Sequence, residues 1–296
     1  MVKTGYMFAG QGAQFPGMGA KLAETSPAAA KVFEQADVVL GYSISDLCFK
    51  ASMEELTPCA VCQPSIFTVS VANYRAYLEA HPDAETAAVA GLSLGEYSAA
   101  VAANVLTFED GLHLIAERGR LMDKCCRDYP GGMAAVLGAE PEKVAEVCRQ
   151  CDIDVANYNC PGQIVISGAR QGLSNALELL GKQGIRAVPL TVAGAYHSRL
   201  MQAAADEFSK ALEVSPFAMP SCPFFQNVTG KASESPDEIR ENMRRQVSGS
   251  VHWEQCARGL MSHSQRLVEC GPGNVLSNFM RRIDRAFPAA PAFAEI

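Results

Sequence analysis

A chain of 296 residues with 48% hydrophobic side chains can bury a sizeable core, as one large domain or as two of unequal size. Its formal net charge of −7 argues against a general nucleic-acid or anionic-membrane binder. No uncharged apolar run reaches the roughly 18 residues of a membrane span, and the amino terminus lacks the apolar core of a signal peptide, which points to a cytoplasmic protein. Eleven scattered cysteines suit a reducing compartment better than a disulfide framework. Two Cys-x-x-Cys pairs occur, Cys59/Cys62 and Cys148/Cys151, but the second reads as helical and no His-x₃₋₅-His partner appears, so no metal site is expected.

In chain order, residues 5–8 read as a strand. A turn, Ala9-Gly10-Gln11-Gly12-Ala13-Gln14, and a helix-prone stretch over 22–40 follow. A dinucleotide fingerprint fails on spacing, because Phe15 stands where the third glycine belongs. What remains is a loop whose backbone amides can approach a ligand closely. Residues 54–80 read as helical after Thr57-Pro58, with Gln63-Pro64 opening a segment of apolar and small residues.

Residues 86–90 read as a buried strand and 97–103 as the start of a packed helix, with Gly91-Leu92-Ser93-Leu94-Gly95 between them. A serine on so tight a strand-to-helix turn needs glycine neighbours, because the backbone is strained and the facing elements lie close. Such a turn pushes the Ser93 hydroxyl outward and aims the Leu94 amide at whatever that oxygen attacks, as an acyl-transfer nucleophile requires. The alternative is a glycine-pinched turn with an inert serine.

From Thr107, capped with Asp110, a helix carries Arg118 among Leu114, Ile115, Leu121 and Met122. An arginine on an apolar stripe must find a partner, either a protein group or a substrate, and periodicity alone favours the protein group. Residues 131–192 then alternate as strand 133–137, helix 141–150, strands 153–157 and 164–167, helix 172–183 and strand 186–192. That βαββαβ order is the ferredoxin-like unit, readable as a small domain inserted into a larger one. Of the five histidines, His197 stands in the short segment between this insert and a new helix, where chains commonly line a cleft. No local signal marks an acidic third member for a Ser93–His197 pair.

Phe8 to Gln14, Gln63-Pro64, Gly91 to Glu96, Arg118 to Met122, Asn159 with Pro161-Gly162-Gln163, Gly194 to Ser198, Gln246 before Val251-His252-Trp253, and Glu269 to Gly273 occur in this order along the chain. Together they resemble the malonyl-CoA:acyl-carrier-protein transacylase family. The resemblance implies an α/β-hydrolase-like large domain (1–128 and 196–296) carrying the ferredoxin-like insert (129–195). It implies Ser93 as nucleophile, His197 as base, the backbone amides of Gln11 and Leu94 as oxyanion hole, Gln246 orienting His197 through its carbonyl, and Arg118 binding the malonyl carboxylate. The partners implied are malonyl-CoA, as substrate rather than cofactor, and an acyl carrier protein, served by a monomer through a ping-pong malonyl-serine route. A proofreading acyl hydrolase is the alternative, although it has no need of Arg118.

Departures from the family pattern fall at Ala9, Ala13, Leu92 and Tyr196. Leu92, where histidine is commoner, resembles free-standing acyltransferases that serve modular polyketide synthases. With an uncharged orienter, His197 is expected to titrate near the ordinary value of about 6.5. Arg240, Arg244 and Arg245, on a helix leading into Gln246, read either as a basic face for an acidic carrier or as an ordinary solvated helix face.

Overall fold

The computed structural model describes all 296 residues. β1 (Val2–Phe8) is buried from Thr4 onward, as a central parallel strand must be. α1 (Ala20–Thr25), α2 (Pro27–Leu40), α3 (Ile44–Lys50) and α4 (Cys59–Ala80) follow. The single helix expected over 22–40 is two: Pro27 takes the first-turn position, where its missing N–H costs nothing, and the Ser26 hydroxyl caps the Ala29 amide at 3.2 Å. α4 continues past Pro64 and is buried along most of its length, so it shows no amphipathic stripe.

β2 (Ala84–Gly91), α5 (Gly95–Ala102) and α6 (Phe108–Asp128) complete the first half. β3 (Gly131–Leu137), α7 (Pro141–Gln150), β4 (Asp154–Cys160), β5 (Gln163–Ala169), α8 (Arg170–Lys182) and β6 (Arg186–Pro189) make the βαββαβ segment. The return comprises α9 (Gln202–Val214), β7 (Phe224–Gln226), β8 (Lys231–Ala232), α10 (Pro236–Gln246), α11 (Trp253–His263), β9 (Arg266–Cys270), α12 (Val275–Ile283) and β10 (Ala289–Pro291).

The strands form two sheets. The larger has the order β10-β9-β1-β2-β7-β8 and is parallel except for β8. The smaller, β4-β5-β3-β6, is antiparallel in the ferredoxin-like order and closes over its own apolar cluster, including Val136, Ile164, Ile166 and Leu180. The two meet where Val251 exchanges backbone hydrogen bonds with Ala156 and Tyr158, both at 2.8 Å. The fold is thus an α/β-hydrolase-like large domain with a ferredoxin-like small one.

Register positions the site. Phe8 lies opposite Gly91 on one side and Cys270 on the other, so the loops leaving β1, β2 and β9 emerge side by side at the carboxyl edge of the sheet. Ligands of open parallel sheets bind at that edge.

Candidate active site

Sterics dictate the turn after β2. A Cβ on Gly91 would fall 1.9 Å from the Gly95 carbonyl carbon, and one on Gly95 would fall 2.3 Å from the Phe8 carbonyl oxygen. Only glycine fits at either position. Ser93 between them sits at φ +53°, in the left-handed region that side chains avoid, and is held there by Asn227. Asn227 Oδ1 accepts from the Ser93 amide and its Nδ2 donates to the Gly91 carbonyl, each at 2.7 Å. Gly91→Ala is therefore expected to lower the melting temperature by roughly 5–10 °C, as backbone overpacking of a few kcal/mol would. Calorimetry checks it, and an unchanged melting point would mean that the elbow yields.

Ser93 Oγ lies 2.7 Å from His197 Nε2, and His197 Nδ1 lies 2.9 Å from the Gln246 carbonyl oxygen. A carbonyl can only accept, so Nδ1 carries the proton and Nε2 is free to take the serine's. His197 also has a positive φ, +54°, at the end of the segment returning from the small sheet. Burial, and then the Arg118 charge, push its pKa down to about 4. This revises the value of about 6.5 expected from the model compound: His197 remains an unprotonated base well below neutrality.

The amides of Gln11 and Leu94 donate to no acceptor in the protein. Their loops touch backbone to backbone, for a Cβ on Gly10 would lie 2.8 Å from the Leu92 carbonyl oxygen. Two unspent N–H groups flanking a nucleophile can receive a developing oxyanion.

Arg118 is 1% exposed, yet no carboxylate pairs with it. α6 brings it in by packing tightly on α4, since a Cβ on Gly119 would meet the Cys59 carbonyl at 2.4 Å. Its guanidinium donates to Gln63 Oε1 at 2.7 Å, Gln246 Oε1 at 3.0 Å and Ser93 Oγ at 3.2 Å, while its Nε has no partner. The partner that periodicity favoured thus turns out to be a pair of neutral amides, and no anion bonds the guanidinium directly beside Ser93.

Other expectations change. Arg240 is paired with Asp237, and Arg244 with Glu241 and Asp206, so only the exposed Arg245 of the supposed basic face makes no ion pair. The Tyr196 hydroxyl is engaged by the Cys59 thiol at 3.1 Å, beside Gln11, and makes no bond to His197. Sequence reasoning missed Asn227 and the bonding role of Gln63, which carry no local signal. It also missed Glu96, whose signal was available: a charged side chain at the head of an otherwise apolar helix.

A serine on a strand-to-helix elbow, an imidazole within hydrogen-bond reach and two free amides are the parts that serine-dependent acyl transfer requires. The chain belongs to the acyl transferase domain family, which matches it over residues 5–281. It is 37% identical to the malonyl CoA-acyl carrier protein transacylase of Bacillus subtilis, over 96% of this chain and 92% of that one. It is also 37% identical to the B. subtilis polyketide biosynthesis malonyl CoA-acyl carrier protein transacylase PksC, over 97% and 99%. A structure of a holo type II polyketide synthase acyl-carrier protein in complex with its malonyl-transacylase superposes with a TM-score of 0.93 at 33% identity, covering 98% and 95%.

Proposed function

We propose that this protein transfers a malonyl group from malonyl-CoA to the phosphopantetheine thiol of an acyl carrier protein through a malonyl ester on Ser93. The observation that carries the substrate assignment is Arg118: a buried guanidinium 3.2 Å from Ser93 Oγ with only neutral partners. A dicarboxylic acyl group supplies the missing anion in a geometry that a guanidinium can grip with two N–H groups. The names of the relatives point the same way.

In the first half-reaction Ser93 Oγ attacks the thioester carbon and its proton passes to His197 Nε2. The oxyanion is received by the Gln11 and Leu94 amides. The carbon–sulfur bond then breaks and the coenzyme A sulfur takes the proton from His197. In the second, the carrier thiol gives its proton to His197 and attacks the ester, and Ser93 leaves with that proton. Pairing of the malonyl carboxylate with Arg118 offsets the charge that depresses His197, so the base strengthens once substrate is seated.

In this reading residues 1–128 and 196–296 form the catalytic domain and 129–195 an insert that shelters the acyl-serine from water. All reacting groups come from one chain, which suits a monomer, and no cofactor or metal takes part. No helix is long and apolar enough to cross a membrane. Intact mass spectrometry tests the scheme. Incubation with malonyl-CoA should add one malonyl group, holo carrier protein should remove and acquire it, and buffer alone should leave it in place. Rapid loss to water without a carrier would make the protein a hydrolase instead.

A further inference from the structure

Glu96, the second residue of α5, is completely buried and makes no ion pair. Its carboxylate accepts from the Gln226 side-chain amide at 3.0 Å, the Asn227 backbone N–H at 2.8 Å and the Gln246 side-chain amide at 3.1 Å. Two of these donors have a second task at the site. Asn227 clamps the elbow on both sides of Leu92. Gln246 donates to the Ser93 carbonyl at 2.8 Å, accepts from Arg118 through Oε1 and receives the His197 N–H on its backbone carbonyl.

A carboxylate only accepts, so Glu96 holds the Gln246 amide with its nitrogen toward Ser93 and its oxygen toward Arg118, the sense that those two groups also require. A proton on Glu96 would place an O–H among three N–H donors and remove the charge that strengthens all three bonds.

We propose that Glu96 is a positioning residue of the acyl-transfer site: its charged carboxylate holds Gln246 and Asn227 in place, and through them His197 and the Ser93 elbow, so the reaction slows when that carboxylate takes a proton. The inference rests on the reading of Ser93 and His197 as nucleophile and base. The ionisable groups facing Glu96 are Arg118 from α6, Tyr97 on α5 itself, Cys256 from α11 and, through Gln246, His197. Burial raises the Tyr97 hydroxyl and the Cys256 thiol far above neutrality, and a guanidinium such as that of Arg118 keeps its proton throughout this range. His197 is pushed down to about 4. Burial drives the Glu96 carboxyl up to about 7, against the opposing pull of its donors and Arg118. Among these groups Glu96 alone changes charge near neutral pH, and its network is charge-assisted above that value and weakened below it.

The test is the rate at which a neutral fluorophosphonate modifies Ser93 between about pH 5 and pH 8, which needs neither a malonyl group nor a carrier. Wild-type protein should slow as pH falls through about 7. Glu96→Gln, which places a donor among donors at every pH, should react roughly 10- to 100-fold more slowly at the alkaline end and show no step near neutrality. A folded Glu96→Gln protein that keeps the wild-type step overturns the proposal. Gln226→Met gives a second reading if that variant does not fold: losing one donor disfavours the charged carboxylate, so the step should move to higher pH, and an unmoved step overturns the proposal. Wild-type protein that takes no label at all removes Ser93 as nucleophile and the inference with it, whereas labelling with an unaltered step sinks the inference alone.

Discussion

Arg118→Ala is expected to lower the efficiency of acyl-enzyme formation from malonyl-CoA by roughly two to four orders of magnitude. The magnitude follows from stranding a buried carboxylate without its cation, which costs about 3–5 kcal/mol, with each tenfold in rate equal to about 1.4 kcal/mol. Acetyl-CoA has no carboxylate to strand, so its weak reaction should be retained or improved and the preference should turn toward uncharged acyl groups. Arg118 also depresses His197, so removing it lets the imidazole titrate at higher pH, and the variant's remaining activity should become more sensitive to acid. An arginine whose task was only to tie Gln63 to Gln246 would behave differently: both substrates would fail together in a protein of much lower melting temperature. Rates with the two thioesters, measured beside the melting temperature, separate these outcomes.

Ser93→Ala is expected to abolish malonyl labelling and to reduce transfer by at least roughly a thousandfold, while leaving a folded protein. The fold should survive because the elbow is held by backbone and Asn227 contacts: the Ser93 amide to Asn227, the Ser93 carbonyl to Gln246 and the glycines on either side. The hydroxyl itself meets only His197 and Arg118. Peptide mapping of the wild-type acyl-enzyme checks the assignment, and a malonyl group found on a cysteine would refute it. The cysteines near the site make poor competitors, since burial raises the Cys59 thiol to about 11 and Cys126 to about 12.

The sequence by itself determined what depends on near neighbours along the chain. Gly91 announces the elbow because the clash it avoids, with Gly95, lies within a single turn, and the βαββαβ segment is legible because hydrophobic spacing of two or of 3.6 residues is local. The apolar neighbours of Arg118 showed that it is buried. They could not show what it meets, because Gln63 and Gln246 arrive from other helices. The break at Ser26 is local too, since Ser-Pro supplies both a cap and a first-turn proline. Tertiary structure alone decided the rest. It paired Ser93 with His197, 104 positions away, enclosed Glu96 among donors from 130 or more positions away and neutralised Arg240 and Arg244 with acidic neighbours. Hydrogen bonding and desolvation depend on which groups share a small, water-poor volume. Only the folded register of β1, β2 and β7 with α5, α6 and α10 brings those groups together.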